Sequence, residues 1–421
     1  MKANVSGDQR IERWATYLSA LALAAYLVLS LCYVVLLPAP EVYADAALYD
    51  GLALDMLRGN GFGSTYRTPL YPAVLAGIYF VFGHSHGAVY VIQALANAAS
   101  LALLMLISYR VFRTRIVGLA ASGLYIIYRP FYVSSVLLLT ESTAMLLVAA
   151  MVLSVLAALE RRTLGRFLLA GVLAGLLSLS KAVAILYPLA LVLVILASRS
   201  KGERSLGLVL AMLAGTMIVI LPWTIRNYNV TRQFVPIATG GGFNFWVGNW
   251  EGYYQKTEWV WRQYPPQLAK KLAGKSEAEQ DAVFVHEALR NLKSKPLKGL
   301  ELAARKFTSL WFALGRGNVY MAEGIPIRLP LRKTSYLEIL IMLAALVSLR
   351  LKIPDWRRKA LPVVVLLVYW TAGYVATTAQ SRYAVPVMPY LMMFAAYAAY
   401  RASVWVFGKL RRPADARGSY A

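Results

Sequence analysis

Residues 15–37 read ATYLSALALAAYLVLSLCYVVLL, a long run without a single charged side chain. About 20 apolar residues in a helix are enough to cross the hydrocarbon core of a bilayer, so this run predicts a membrane span. The run is far longer than the apolar core of a secretory signal peptide, which predicts a first span that is not cleaved. The chain of 421 residues is 59% hydrophobic and only 15% charged. We therefore predict an all-α polytopic membrane protein.

Basic residues lie in short clusters between the apolar runs, and their positions predict the topology. Loops rich in Lys and Arg stay on the cytoplasmic side of a membrane. The clusters assigned to the cytoplasm are Arg10 and Arg13; Arg110, Arg113 and Arg115; Arg161, Arg162 and Arg166; Arg199, Lys201 and Arg204; residues 350–359; and Lys409, Arg411 and Arg412. This arrangement explains the net charge of +24 without a nucleic-acid partner.

The same sidedness decides two ambiguous apolar segments. Residues 70–83 must form an interfacial or re-entrant helix, because a crossing there would place the next basic cluster outside. Residues 167–198 have basic clusters on both flanks and must cross twice, with Lys181 near the outer turn. We therefore predict about ten transmembrane helices, with both chain termini in the cytoplasm.

The topology divides the chain into three predicted parts. Residues 1–225 form an N-terminal transmembrane module, which contains the first outer loop at residues 39–86. Residues 226–334 form a small periplasmic lid, and residues 335–421 form a C-terminal transmembrane module.

The predicted lid has a mixed composition. Glycine and β-branched residues near its start predict turns and short extended pieces. Ser276 and Glu279 fit a helix capping box, which predicts a helix that ends near Lys293. Pro296 fits the first turn of another helix, which ends near Phe312.

Aromatic residues crowd one part of the predicted lid. Two roles are open for them: a belt at the membrane surface, or stacking against sugar rings. These residues are Trp246, Trp250, Tyr253, Tyr254, Trp259, Trp261 and Tyr264.

The first outer loop contains the stretch ADAALYDGLALDMLRGNGFGSTYRTPLYP, which begins at Ala44 and ends at Pro72. Asp45, Tyr49 and Gly59, followed by YRTPLYPAVLAGIYFVFG, resemble the first outer loop of C-type glycosyltransferases. The nearer resemblance is to the bacterial branch related to protein O-mannosyltransferases and the lipid-A aminoarabinose transferase. Later blocks resemble this family in the same order: LLLTESTAMLL, GLLSLSKAVAILYP, WTIRNYNV, GGGFNFWVGN, SKPLKGLELAARKFTSLW and SRYAVPVMPYL.

The resemblance implies transfer of a sugar from a polyprenyl-phosphate carrier to an acceptor at the outer membrane face. The sequence has no Asp-x-Asp motif for a nucleotide-sugar metal and no Gly-x-Gly-x-x-Gly after a strand, which agrees with a lipid-linked donor. Two positions differ from the family pattern. Ala46 follows Asp45 where many relatives have an Asp-Glu pair, and Lys181 stands where relatives often have arginine.

Asp45 is the candidate general base, since inverting sugar transfer needs one carboxylate near the attacking hydroxyl. The alternative is that Asp45 caps the N-terminus of a helix over residues 46–57. Asp50 and Asp55 are expected to face solvent, with Asp55 pairing with Arg58 three residues further on.

Four outer cations are candidates for binding the donor phosphate: Arg67, Lys181, Arg226 and Arg382. A cation there stabilises the phosphate as its charge grows during bond cleavage. The alternative for Arg67 is anchoring to lipid headgroups, and for the other three it is snorkelling towards the interface.

Tyr49, Glu141, Asn249 and Tyr383 are candidates for contacting the sugar or the acceptor. Glu141 lies just inside the outer end of a span, where a carboxylate is costly and tends to be functional. Its alternative role is a structural ion pair with Arg129. The alternative role of Asn249 is in a turn.

The sequence does not indicate a divalent metal or another cofactor. His84 and His86 bracket one residue in a loop, but two histidines without a third ligand are weak grounds for a metal site. His286 is expected on a lid helix, facing solvent or the lid core. The single cysteine, Cys32, lies in the first span and excludes a cysteine metal site.

These features predict a glycosyltransferase of the bacterial inner membrane with its active site facing the periplasm. Its partners are a polyprenyl-phosphate sugar donor, membrane lipids and a lipid, glycan or protein acceptor; its oligomeric state is left open. The rival class is a lipid or glycolipid transporter or flippase. Inverted repeats or charged residues at mid-membrane would favour that rival, and the sequence shows neither.

Overall fold

The fold is known from a computed structural model, which describes residues 2–36, 42, 44–199, 205–250, 252, 264–312 and 332–410. The α-helices are α1 Lys2–Leu36, α2 Asp45–Leu57, α3 Leu70–Phe82, α4 His86–Phe112, α5 Arg115–Ile127, α6 Pro130–Ser135, α7 Glu141–Arg161, α8 Leu164–Ser180, α9 Tyr187–Ala197, α10 Leu206–Thr231, α11 Gly240–Gly248, α12 Pro266–Leu272, α13 Glu277–Ser294, α14 Pro296–Trp311, α15 Arg332–Ser348, α16 Trp356–Lys359, α17 Leu361–Ala376 and α18 Met388–Leu410. Short 3₁₀ helices cover Ala182–Leu186 and Ser381–Ala384. These ranges contain no β-strand, and the all-α class is confirmed.

Helix length and composition agree with a polytopic membrane protein. Among the described residues, four helices are long and apolar enough to cross a membrane: Gln9–Leu36, His86–Phe112, Glu141–Arg161 and Leu206–Thr231. Shorter apolar helices accompany them, among them α5, α8 and α17. The total of about ten spans and the sides of the membrane stay predictions.

The two ambiguous apolar segments have the shapes that the topology requires. α3 has 13 residues, which gives it a length of about 20 Å, well short of a hydrocarbon core of roughly 30 Å. It packs against α2, where the Tyr49 and Tyr71 rings meet edge to face with centroids 5.2 Å apart. The second segment breaks at Lys181, which separates α8 from the first 3₁₀ helix and α9. The interfacial position of α3 and the double crossing stay predictions.

Glycines bring α8 and α10 into close contact. Gly171 of α8 faces the carbonyl of Met212, and Gly215 of α10 faces the carbonyl of Leu168; a β-carbon at either glycine would overlap these groups. Small residues allow such close approach between membrane helices. α7 packs on α8 as well, so the start of α7 and the end of α8 lie side by side at one end of the bundle.

Residues 232–239 of the described lid form bends and turns, as predicted, whereas the remainder consists mainly of the helices α11 to α14. The stretch GGGFNFWVGN, expected to form turns, contains α11. Gly242 packs against Asp281 and Gly248 against the carbonyl of Thr377, with no room for a β-carbon at either position. These glycines therefore permit close packing of α11 on its neighbours. The prediction of turns is based on glycine content alone, which does not distinguish turns from close packing.

Both predicted lid helices are confirmed. Ser276 Oγ accepts a hydrogen bond from the Glu279 backbone N–H, and the Glu279 carboxylate accepts one from the Ser276 backbone N–H at 2.8 Å. This capping box begins α13, which ends at Ser294. α14 begins at Pro296 as predicted.

Two described aromatic residues of the lid, Trp246 and Trp250, form part of its own core. Trp246 is only 3% exposed. It stacks on Trp250 with ring centroids 5.1 Å apart and contacts Phe284 at 5.5 Å. Neither a membrane belt nor sugar stacking describes Trp246, because its ring is already covered by the lid. Tyr253, Tyr254, Trp259 and Trp261 lie outside the described residues.

Gly248→Ala is expected to lower the free energy of unfolding by about 1–3 kcal/mol, because the new methyl group must displace the Thr377 carbonyl. Gly241→Ala is the matched control, since a β-carbon there meets open space. Both substitutions raise helix propensity by a similar amount, so the difference between their unfolding free energies measures the effect of the overlap at Gly248. Denaturant titration in detergent micelles measures it. Equal stabilities of the two variants would contradict the packing role of Gly248.

Candidate active site

A cavity of about 450 Å³ lies where the first outer loop meets α7, α11, α17 and the end of α8. The predicted site residues that line it are Asp45, Tyr49, Arg67, Glu141, Lys181, Arg382 and Tyr383. Leu139, Val183, Ile185 and Leu186 form part of an apolar wall. Leu186 is 58% exposed, so this wall continues onto the outer surface of the helix bundle. The cavity therefore joins a charged interior to an apolar exit.

Asp45 is held between two arginines. It is the first residue of α2, and Arg67 Nη2 donates to its Oδ1 while Arg382 Nη2 donates to its Oδ2 at 2.8 Å. The N-cap hypothesis for Asp45 is wrong, because Ala44 occupies the cap position and no side chain among the described residues caps this helix. Two guanidinium groups, one of them from a segment far along the chain, engage the carboxylate instead.

The arginines set the protonation of Asp45. Burial raises the pKa of this carboxyl, but the positive charges of Arg67 and Arg382 outweigh burial and hold the pKa below its ordinary value. Asp45 is therefore ionised at neutral pH. A carboxylate in two ion pairs is also a weak base until one of the arginines finds another anion.

One hydrogen-bond donor of Arg67 is unpaired among the residues that the structure describes. Its guanidinium lies over the Tyr66 ring at 4.9 Å and near the Tyr49 ring at 5.7 Å. Its Nε is buried and has no hydrogen-bond partner among the described residues. A buried unpaired donor is costly, which makes this atom ready to bind an anionic oxygen.

Glu141 forms a buried ion pair with Lys181. Lys181 Nζ donates to Glu141 Oε1 at 2.8 Å, and the side chains are 9% and 4% exposed, respectively. The alternative role given to Glu141, an ion pair with Arg129, is therefore wrong. Glu141 begins α7 while Lys181 follows α8, so the packing of these two helices brings the charges together. Glu141 Oε2 has no hydrogen-bond partner among the described residues.

Tyr383 provides an aromatic surface beside the charges. Its ring stacks on Tyr374 with centroids 4.7 Å apart and planes 20° from parallel. Lys181 Nζ and the Arg382 guanidinium each lie 5.3 Å from the Tyr383 ring centroid. Cation–π contacts of this kind hold both cations near the cavity wall.

Arg226 lies outside the cavity lining and supports the first outer loop instead. It donates to the carbonyl of Phe62 and, at 3.4 Å, to the carbonyl of Ser64. Its guanidinium lies 4.9 Å from the Trp223 ring. These contacts give Arg226 a structural role, which the sequence could not separate from phosphate binding.

Asn249 likewise connects elements outside the cavity. Its Nδ2 donates to the Ala376 carbonyl at 2.8 Å, and its Oδ1 accepts from Lys306 Nζ at 2.9 Å. Lys306 was not predicted. Burial lowers its pKa to about 8. Both side chains tie the lid to the end of α17, which agrees better with the structural alternative for Asn249 than with sugar contact.

The other two acidic residues of α2 do not behave as predicted. Asp50 does not face solvent freely, because its side chain is 14% exposed and accepts a hydrogen bond from Tyr79 at 2.6 Å. The Asp55 carboxylate accepts a hydrogen bond from Asn60 at 3.4 Å, whereas the sequence predicts a pair with Arg58. The side chain of His286 is 77% exposed, in line with expectation.

Two residues that line the cavity and one that lies close to it were not predicted from the sequence. Tyr66 and Thr68 line the cavity and flank Arg67 in the YRTP stretch. Their position next to a candidate phosphate-binding residue could have predicted that they belong to the site. Glu277 was not identifiable: it accepts hydrogen bonds from the Thr65 backbone at 2.8 Å and from Ser64 Oγ at 2.8 Å. This carboxylate ties the start of α13 to the first outer loop, next to Arg67.

Comparisons with known proteins show which families and folds the chain is similar to. The sequence model of the family described as dolichyl-phosphate-mannose-protein mannosyltransferase matches residues 66–225. The structure of archaeal oligosaccharyltransferase AglB from Archaeoglobus fulgidus, in complex with an inhibitory peptide and a dolichol-phosphate, matches 96% of this chain with a TM-score of 0.55 and 15% identity. The chain has a C-type glycosyltransferase fold. The resemblance to C-type glycosyltransferases predicted from the sequence is confirmed for the fold.

Two further structures are similar to the chain. The A. fulgidus oligosaccharyltransferase tethered with an acceptor peptide containing the NVT sequon matches 96% of this chain at 15% identity and a TM-score of 0.54. The chain covers 53% and 52% of the two A. fulgidus chains, about half their length. ArnT from Cupriavidus metallidurans bound to undecaprenyl phosphate matches 94% of this chain and 80% of its own at 16% identity, with a TM-score of 0.38. A search of curated proteins gave no match.

Proposed function

We propose that this C-type enzyme transfers a sugar, with inversion, from a polyprenyl-phosphate carrier to an acceptor at the periplasmic face of the bacterial inner membrane. The observation that carries the proposal is a single cavity in which a carboxylate is held between two arginines beside an apolar exit. The donor has the same two-part chemistry, with an anionic sugar phosphate joined to a long apolar chain.

The charge of the cavity suits this donor. Arg67, Lys181 and Arg382 supply three positive charges, and Asp45 and Glu141 supply two negative ones, so one positive charge remains. A sugar linked to a polyprenyl phosphate is a phosphodiester with one negative charge. Arg67 Nε is the donor atom that this phosphate would meet first, since it has no other partner among the described residues.

Donor binding would convert Asp45 into a better base. The phosphate competes with Asp45 for Arg67 and Arg382, and its negative charge raises the pKa of the carboxyl. The acceptor hydroxyl then gives its proton to Asp45 while its oxygen forms a bond to the anomeric carbon. The bond from that carbon to the phosphate oxygen breaks, and polyprenyl phosphate leaves with the electron pair, stabilised by the arginines.

The sugar would lie between two carboxylates, those of Asp45 and Glu141, and two aromatic rings, those of Tyr49 and Tyr383. Glu141 Oε2 is a buried acceptor without a partner among the described residues, which fits a sugar hydroxyl. Tyr49 and Tyr383 line the same space and offer ring faces to the apolar side of a sugar. Lys181 is already paired with Glu141, so its role is to position that carboxylate more than to bind phosphate.

The rival transporter or flippase fits this arrangement less well. The charged residues of the cavity lie at helix ends and in loops: Asp45 starts α2, Glu141 starts α7, Lys181 follows α8 and Arg382 precedes α18. A transport path would need polar groups further along the helices. A cavity with its charges at the helix ends suits chemistry at the membrane surface.

Arg67→Ala is expected to lower kcat/KM for the lipid-linked donor about 30-fold, since a charge-assisted contact contributes about 2 kcal/mol. The measurement is transfer of a labelled sugar by the purified protein over a donor titration. Arg58→Ala is the control, because Arg58 is exposed and does not line the cavity. Unchanged donor use in Arg67→Ala would assign this residue to membrane anchoring and remove the main support for a phosphate site.

The sidedness is tested separately with single cysteines at Gly165, Lys275 and Arg350 in a Cys32→Ser background; all three positions are exposed. An impermeant maleimide should label position 275 in intact cells, and positions 165 and 350 only after permeabilisation. These expectations follow from the basic clusters. Labelling of position 350 from outside would contradict both the topology and the periplasmic active site.

A strain that lacks the gene for this protein provides the most direct test of the acceptor class. Mass spectrometry of its envelope lipids, glycans and proteins should show one species that has lost a sugar residue. A loss from lipid A or O-antigen places the enzyme in lipopolysaccharide modification, and a loss from a protein gives it the role that its family match suggests.

A further inference from the structure

A second polar cluster lies beside α2, outside the cavity of the candidate active site. Asp50 of α2 meets His84 and His86, which stand at the turn between α3 and α4. Asp50 Oδ1 lies 3.0 Å from His84 Nε2 and 3.2 Å from His86 Nε2, and the two Nε2 atoms are 3.2 Å apart. None of these three residues lines the cavity of the candidate active site.

These spacings are those of ligands around a small metal ion. Four ligands about 2.0 Å from a tetrahedral zinc ion are separated from one another by roughly 3.3 Å. The three ligand atoms here form a nearly equilateral triangle of that size. Two imidazoles and one carboxylate are also a ligand set that transition metals, and zinc in particular, prefer over calcium or magnesium.

Hydrogen bonding alone explains the cluster poorly. Tyr79 donates to Asp50 Oδ1 at 2.6 Å, and His84 Nε2 lies 3.0 Å from Oδ1 and 3.2 Å from Oδ2. Asp50 can accept from both imidazoles if each carries its proton on Nε2, but the two Nε2 atoms, 3.2 Å apart, then have no hydrogen bond between them. A metal ion would instead accept a lone pair from Asp50, His84 and His86. Tyr79 would then hold the carboxylate as an outer partner, an arrangement common around protein-bound metals.

We propose that Asp50, His84 and His86 bind one divalent transition-metal ion of the zinc class. The His84 and His86 side chains are 45% and 30% exposed, which leaves room for water as the fourth ligand. The ion joins α2 to the start of α4. Because Asp45 is the first residue of α2, the metal fixes the helix that carries the charged centre of the cavity, without taking part in the chemistry there.

The test is zinc titration of the purified full-length protein after chelator treatment, prepared with an affinity tag that contains no histidine. The wild type is expected to bind one equivalent of Zn²⁺, measured by calorimetry and elemental analysis, and to show a higher Tm with zinc. His84→Ala and His86→Ala should each weaken binding at least about 100-fold and lose the Tm response. His286→Ala, which removes the remaining histidine, should behave as the wild type.

Two further variants keep the result interpretable. Tyr79→Phe retains all three ligands and should weaken zinc binding only about 10- to 100-fold, as expected for loss of an outer partner. Cys32→Ser removes the single thiol as an alternative ligand and should leave binding unchanged. Absence of stoichiometric zinc binding in the wild type, or equal binding in a folded His84→Ala variant with an unaltered gel-filtration profile, would overturn the proposal.

Discussion

Asp45→Asn is expected to lower sugar transfer by about 100- to 10,000-fold while the protein stays folded, since loss of a general base has this range of effects. Asparagine keeps the size of the side chain and can still accept a hydrogen bond from an arginine. It cannot take the acceptor proton. Helix capping does not confuse the result, because Ala44 and not Asp45 occupies the cap position of α2.

Donor binding separates a chemical defect from a structural one. In the wild type, Asp45 competes with the donor phosphate for Arg67 and Arg382. Asp45→Asn weakens that competition, so donor affinity should be unchanged or higher while kcat falls. Asp55→Asn is the matched control on the same helix, as Asp55 contacts Asn60 and does not line the cavity. Near-normal transfer by Asp45→Asn would contradict a catalytic role.

The pH profile distinguishes a base from an orienting group. The pKa of Asp45 is lowered in the free protein, so kcat/KM should fall with acid only below the ordinary carboxyl range. The same lowering means that the Asp45 ion pairs stabilise the fold above the ordinary carboxyl pKa and are lost as the pH falls through the folded-state pKa. If the acceptor is a phosphate that is already ionised, Asp45 only orients it, and the acid limb should be absent.

The elements that were predictable carry local signals. Three features depend only on residues that are neighbours in the sequence: the apolar runs, the break at Lys181 and the capping box at Ser276. The structure contains all three. The failure at GGGFNFWVGN has a physical cause. A glycine-rich stretch is compatible with turns or with close helix packing. Here it packs closely, because Gly242 contacts Asp281 and Gly248 contacts Thr377, and the sequence does not reveal these contacts.

The pairings within the site depend on contacts that sequence spacing does not reveal. Glu141 pairs with Lys181 and not with Arg129, because α7 packs along α8 and brings residues 40 positions apart into contact. His84 and His86 lacked a third ligand in the sequence, whereas the fold of α3 back onto α2 supplies Asp50. The sequence therefore predicts which types of residue form the site. Their hydrogen-bond and ion-pair partners can be identified only from the tertiary structure.

The buried Glu141–Lys181 pair provides the other large expected effect. Glu141→Leu and Lys181→Met should each lower the free energy of unfolding by about 3–5 kcal/mol, because each leaves the opposite charge buried without a partner. The double variant replaces both charges with apolar side chains of similar volume. It should be closer to the wild type than either single variant, since replacing a whole buried ion pair is often nearly neutral.

The measurement is a double-mutant cycle of unfolding free energies in detergent micelles. A coupling energy of a few kcal/mol is expected, well above the roughly 0.3–0.5 kcal/mol within which independent sites are additive. Lys271→Met and Glu287→Leu form a control cycle, because that lid pair is joined at 2.6 Å but Lys271 is 47% exposed. Its coupling should be about 1 kcal/mol or less. Equal coupling in the two cycles would contradict the buried character of the Glu141–Lys181 pair.

Transfer activity in the double variant then decides what the pair is for. A purely structural pair would let the double variant recover activity together with stability. The proposed sugar contact predicts the opposite, because the free acceptor atom Glu141 Oε2 is lost with the side chain. Donor binding should survive, since Arg67 and Arg382 remain on Asp45. A stable, donor-binding and inactive double variant would therefore place Glu141 on the substrate, with Lys181 as the residue that positions it.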